Sequence, residues 1–156
     1  MRPLWYTAAV IFVIDQTLKW YIVHFLELDR RLALDVFPPY LNLRMTWNYG
    51  VNFGLFAGDG STRWVLIAIA VAICGVVLWW MRAGQSTIAL IFAGFLIGGA
   101  AGNVIDRIIY GGVADFLNMS CCGFTNPYAF NVADIAIFIG AIGLVIFVRD
   151  DKPAKA

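Results

Sequence analysis

"IALIFAGFLIGGAAGNVIDRII", residues 88 to 109, is apolar almost throughout, and its polar side chains, Asn103, Asp106 and Arg107, collect near its far end. A helix crosses about 30 Å of hydrocarbon with about 20 apolar residues, and this stretch is long enough. Its "GFLIGGAAG" segment, 94 to 102, reads as a close helix-packing surface, because small residues let backbones approach. Three further runs share its character: roughly Leu4 to Phe25, Trp64 to Met81 and Val132 to Val148. Composition agrees, with 62% hydrophobic and 13% charged residues and a mean hydropathy of +0.79, values that belong in a bilayer. The expectation is a mainly α membrane protein, one domain over residues 1–156, with four transmembrane helices.

Four spans put both termini on one side of the membrane and the two long connections, residues 26–63 and 110–131, on the other. Arg2 ahead of the first run resembles the start of a signal peptide, but Ala-x-Ala-like cleavage chemistry is missing and Asp15 and Gln16 interrupt the run, which is therefore read as a retained span. Basic residues divide evenly, with Arg2, Arg82, Arg149, Lys152 and Lys155 on the terminal side and Arg30, Arg31, Arg44, Arg63 and Arg107 on or near the other. The terminal set sits in short segments next to helix ends, where the positive-inside bias acts most strongly, so the termini are expected in the cytoplasm. A net charge of +1 without a dense basic cluster gives no support for nucleic-acid binding.

In the first connection, "LNLRMTW", 41 to 47, alternates Leu41, Leu43, Met45 and Trp47 with Asn42, Arg44 and Thr46, the pattern of a half-buried strand. "LALDVF", 32 to 37, precedes it across Pro38 and Pro39, which favour a turn. Together they predict a small extracytoplasmic β-sheet lying on the membrane surface, its apolar face turned toward lipid or the helix ends. The tail "RDDKPAKA" reads as a solvated end.

Ionisable groups within membrane spans are costly and face partners or wet cavities. Asp15 and Lys19 stand four apart on one helix face, as a structural ion pair or with Lys19 turned to a substrate headgroup or backbone carbonyl. His24, the sole histidine, reads as interfacial, and neither it nor Cys74, Cys121 and Cys122 forms a zinc framework, so no metal or other cofactor is expected. Asn103 and Asp106 are three apart, as are Asn131 and Asp134, so each amide shares a face with its carboxylate. Asp115 follows Gly111 and Gly112, where the helix breaks and the chain turns back, so Asp106, Asp115 and Asp134 reach one depth.

Two carboxylates close together in a low-dielectric site hold one proton between them, one member serving as base and the other as acid. Aspartic peptidases activate water in this way without metal or covalent intermediate. The amides and Arg107 would orient the pair or offer donors to a developing oxyanion. The residues alone also admit a small ion- or proton-coupled transporter with Asp15, Lys19, Asp106 and Asp134 lining a pathway, or a noncatalytic membrane scaffold.

Four blocks in order, "DQTLK" at 15–19, "NYGVNFG" at 48–54, "GNVIDR" with "VADF" through 102–116, and "FNVAD" at 130–134, resemble lipoprotein signal peptidase (signal peptidase II) of bacteria. The resemblance covers nearly the whole chain. It implies that Asp115 and Asp134 are the catalytic aspartates acting on water, with supporting positions at Asp15, Lys19, Asn48, Gly50, Asn103, Asp106, Arg107, Asn131 and Ala133. It implies Asn48 and Asn103 near the substrate or the pair, Asp106 and Arg107 in the scaffold, and the first connection as an extracytoplasmic cradle. The implied partners are membrane lipids and prolipoproteins whose lipobox cysteine carries diacylglycerol, cut before that cysteine by a monomeric enzyme of the bacterial inner membrane. Leu18 stands where that family usually has a hydroxyl residue, Asn52 where it has a small one, and the pair Cys121 and Cys122 lies outside its motifs.

Overall fold

The computed structural model describes residues 1–50 and 62–148. Positions 51–54 of the "NYGVNFG" block, Asn52 among them, and the tail from Arg149 onward lie outside the described residues. Three helices are long and apolar enough to cross a membrane: α1 (Arg2–Trp20) continued by a π-helical turn at Tyr21–Phe25, α3 (Thr62–Met81) and α4 (Thr87–Tyr110). The fourth apolar helix, α5 (Val132–Phe147), is shorter. A four-residue helix, α2 (Leu28–Arg31), leads into a three-stranded antiparallel sheet of β1 (Ala33–Phe37), β2 (Leu41–Asn48) and β3 (Val113–Asn118), in that order.

Local chemistry sets the helix ends. Pro3 lies in the first turn of α1, where its missing N–H costs no hydrogen bond. The Ser86 hydroxyl caps α4 by accepting from the Ala89 amide at 3.3 Å, and the helix stops at Gly111, whose φ of +80° suits glycine. Asn131 and Asp134 form a reciprocal capping box at the start of α5.

The centre of the bundle is α4, with α1, α5 and α3 packed around it. Close approach depends on absent side chains. A Cβ on Gly98 would lie 2.5 Å from the Ala8 carbonyl oxygen of α1, and one on Gly140 would lie 2.5 Å from the Leu96 nitrogen of α4. The small-residue run of α4 thus supplies a contact surface for α1, as its sequence predicts. The apolar core lies between the helices around Leu4, Val77, Met81, Ala93, Ile97 and Leu144.

A second cluster, Ile22, Leu28, Leu43 and Phe116, seats the sheet on the end of α1. Both Ile22 and Val23 are buried in the π turn. Leu34, Leu43 and Leu117 are register partners across the sheet, and a bulge between Leu43 and Thr46 brings Thr46 opposite Asp115. β3 departs from the sequence expectation, which left 110–131 as a connection. "VADFLN" is buried on both faces and shows no polar–apolar alternation, so its strand character is hidden from periodicity.

Candidate active site

Three elements converge at one end of the bundle. β3 carries Asp115, α4 carries Asn103, Asp106 and Arg107 in its last two turns, and the first turn of α5 carries Asp134. Asp115 is 4% exposed and accepts from Asn48 Nδ2 at 3.1 Å and from Asn131 Nδ2 at 2.6 Å. Asp134 accepts from Asn103 Nδ2 at 2.8 Å on one oxygen and from the Asn131 backbone amide at 3.0 Å on the other. Asn131, fully buried, therefore donates to both carboxylates, while its own Oδ1 accepts from the Asp134 amide at 3.0 Å. Its remaining Nδ2 proton reaches Asn103 Oδ1 at 3.3 Å. The backbone of Gly50 donates to Asn48 Oδ1 at 3.3 Å and fixes which way that amide points.

Burial pushes the Asp115 carboxyl up to about 6, the negative charge of Asp134 adds to the effect, and the bonds from Asn48 and Asn131 oppose it. Asp115 thus sits in surroundings that favour its protonated form. Arg107 donates to the Asn103 carbonyl at 3.1 Å, and its charge acts on Asp115, Asp134 and Asp106, while its buried Nε has no partner among the described residues.

Behind the pair lies a buried ionic cluster. Lys19 Nζ meets Asp15 at 2.9 Å, Asp106 at 2.8 Å and Asn103 Oδ1 at 3.1 Å. Those three acceptors use all the protons of the ammonium, so of the two readings of Lys19 the structural pair fits and a free headgroup ligand does not. Asp15 also accepts from the Ala133 amide at 3.0 Å, next to Asp134, and a Cβ on Gly102 would collide with the Asp15 carboxylate. Removing one member of such a buried cluster leaves uncompensated charge, at a cost of about 3–5 kcal/mol. The cluster ties α1 to α4 and to the start of α5.

All eleven sequence-predicted positions, Asp15, Lys19, Asn48, Gly50, Asn103, Asp106, Arg107, Asp115, Asn131, Ala133 and Asp134, thus fall in one connected network. Their concentration at one end is unlike a relay spread through the depth of a bundle. Gln16 belongs to the network too: its Nε2 reaches Asp106 at 3.0 Å and Asp15 at 3.2 Å. The sequence offered only its polarity within an apolar run as a signal. Among the described residues, no group of three or more His, Cys, Asp or Glu side chains is arranged to hold a metal ion.

Residues 7–149 match the signal peptidase (SPase) II family. The chain is 41% identical to the lipoprotein signal peptidase of Pseudoalteromonas atlantica over 97% of its own length and 92% of that protein's. It is 38% identical to the lipoprotein signal peptidase of Rhodopseudomonas palustris (strain TIE-1), covering 89% and 87%. Among solved structures, a bacterial membrane enzyme determined by the in meso method at 1.9 Å superposes with a TM-score of 0.75 at 25% identity, covering 94% of this chain and 92% of that one. Helices of membrane-spanning length, a small sheet and a paired-aspartate network therefore meet in one chain, which belongs to the signal peptidase II family of bacterial membrane aspartic peptidases.

Proposed function

We propose that Asp115 and Asp134 are the catalytic pair of an intramembrane endopeptidase that cuts bacterial prolipoproteins before a diacylglyceryl-modified cysteine. The observation that carries this is the single residue Asn131 donating to both carboxylates, which holds them side by side at the foot of α5. One aspartate takes a proton from water as the water attacks the scissile carbonyl, and the other donates to that carbonyl oxygen or to the leaving amine. The raised Asp115 carboxyl suits the donor role. Asn48, Asn103 and Asn131 orient the pair, Gly50 and Ala133 place backbone amides, Arg107 supplies positive charge, and Asp15, Lys19 and Asp106 anchor the helices. The chemistry calls for no cofactor.

The substrate class follows from family membership and from the names of the relatives. A lipidated signal helix arrives laterally, its acyl chains remaining in lipid, and a site where helix ends meet a surface sheet receives it without drawing the lipid into water. In this reading all four apolar helices span the inner membrane, both termini are cytoplasmic, the sheet lies on the extracytoplasmic surface, and one copy of the chain, a single peptidase domain, suffices. The test is cleavage of a diacylglyceryl precursor by purified, folded Asp115→Asn and Asp134→Asn proteins. Each is expected to lose at least about 1,000-fold in kcat/KM, the scale of removing a general acid–base group together with its polarising effect. Near-normal turnover in either variant rejects the assignment.

A further inference from the structure

The excursion between β3 and α5 carries a pair of thiols that the peptidase chemistry leaves unused. Its base is anchored: Asn118 Nδ2 donates to the Asn126 and Tyr128 carbonyls, each at 2.8 Å, the Ser120 hydroxyl accepts from the Asn126 amide at 3.0 Å, and Phe130 bridges to Leu117. At its tip, Cys121 to Phe124 form a tight turn closed by the Phe124 amide donating to the Cys121 carbonyl at 2.8 Å. The two central residues, Cys122 and Gly123, have φ of +56° and +82°, as in a type I′ turn. Gly123 suits that geometry. The first central place ordinarily takes Asn, Asp or Gly, and at Cys122 it holds a side chain in a conformation that L residues rarely adopt. Both thiols are free and exposed, and the two side chains hydrogen-bond each other. In the orientation proposed above, this tip faces the extracytoplasmic side, where disulfides form and persist. For either sulfur, its neighbour is present at a far higher effective concentration than a thiol of another chain.

We propose that Cys121 and Cys122 are a redox modification site, closing reversibly into a disulfide between adjacent residues by exchange with a small-molecule or protein disulfide. One thiolate attacks a sulfur of the incoming disulfide and displaces one thiol, and the second thiolate attacks the resulting mixed disulfide and displaces the other. The two cysteines lose two electrons and two protons, and the incoming disulfide gains them. Consecutive Cα atoms are about 3.8 Å apart, inside the roughly 4.4–6.8 Å of ordinary disulfides, so the ring is strained and readily reduced again. Closure distorts the turn at 121–124, while the anchors at Asn118 and Ser120 confine that distortion to the tip. This site depends on the orientation proposed above and not on the aspartate chemistry.

The experiment has two arms. In the first, purified full-length protein is reduced, treated with excess oxidised glutathione, quenched in acid, denatured and alkylated, and its intact mass and peptides are measured. The expected product is a monomer lighter by two hydrogens before alkylation, with Cys74 alkylated and Cys121 joined to Cys122, and excess reduced glutathione is expected to restore all three thiols. Cys121→Ser, at an exposed position, is expected to stop at a glutathione adduct on Cys122. Persistent glutathione adducts on the unsubstituted chain, disulfide-linked dimers, or an unreacted pair overturn the modification site. In the second arm, intact cells carrying the chain are quenched and alkylated in the same way, and the joined pair is expected to predominate. A pair that closes in the purified protein but stays reduced in cells would overturn the extracytoplasmic orientation rather than the ring chemistry. Neither arm bears on the assignment of Asp115 and Asp134, which the cleavage test above decides separately.

Discussion

Asp115 sits where burial and the neighbouring Asp134 charge favour its neutral form, while two amide donors favour the ion, and the balance leaves it raised to about 6. Burial is the larger cause, so removing the neighbouring charge corrects only part of the shift. In Asp134→Asn the Asp115 midpoint is expected to fall below about 6 and to stay above the ordinary 3.8, as followed by the infrared carboxyl band of isotope-labelled protein. An unchanged midpoint would mean that the two groups do not sense each other. The raised value also sets a direction for stability. Asp115 holds its proton more tightly folded than unfolded, so its stabilising contribution is fully present below 3.8 and is lost as pH rises through about 6. Both site aspartates were visible in the sequence, but the residue that joins them was visible only in part. "FNVAD" announces a helix cap, and Asp134 does serve as the third residue of a capping box; that the same Asn131 also reaches Asp115 depends on β3 returning beside α5, which no local pattern encodes.

Helix contacts convert small residues into position for the aspartates. Gly140 of α5 abuts the α4 backbone, with a built Cβ 2.5 Å from Leu96 N and 2.7 Å from Phe92 O, and neither helix has a flexible side chain there to yield. Gly140→Leu is therefore expected to force α5 away from α4, to destabilise by about 1–3 kcal/mol, and to reduce cleavage because Asp134 moves with its helix. A Cβ on Gly75 of α3 would meet no other part of the described residues within 4 Å, so Gly75→Leu is expected to leave the melting temperature unchanged or slightly raised through better helix propensity. Thermal unfolding in detergent, with activity measured alongside, separates the two. The four apolar helices were legible as long apolar runs, and β1 and β2 because their polar and apolar residues alternate or are punctuated by proline. β3 was not, since full burial erases alternation, and the short α2 was not, because its left-handed flanks fall on Glu27 and Leu32 rather than on glycine.

At the scale of the whole molecule, the outer surface formed by the described residues carries many large apolar side chains. Trp5, Tyr6, Val13, Trp20, Trp79, Phe138 and Val145 are among many large side chains left exposed, as suits a helical body surrounded by lipid, and α3 is the helix least covered by its neighbours. The polar network, the sheet and the 119–129 segment all gather at one end, so the orientation of the chain decides which compartment the aspartate pair faces. The chain supplies its own probes. Cys121 and Cys122 are exposed thiols at that end, in a turn where Cys122 and Gly123 both have positive φ, while Cys74 lies within the apolar length of α3. In intact, reduced spheroplasts a membrane-impermeant maleimide is expected to label the unsubstituted chain, and Cys121→Ser with Cys122→Ser together to abolish that labelling. A cysteine introduced at Arg82, in the short turn after α3, is expected to react in that background only after the membrane is opened. The reverse pattern would place the aspartate pair on the cytoplasmic face and leave a lipidated precursor on the far side of the membrane from the groups proposed to cut it.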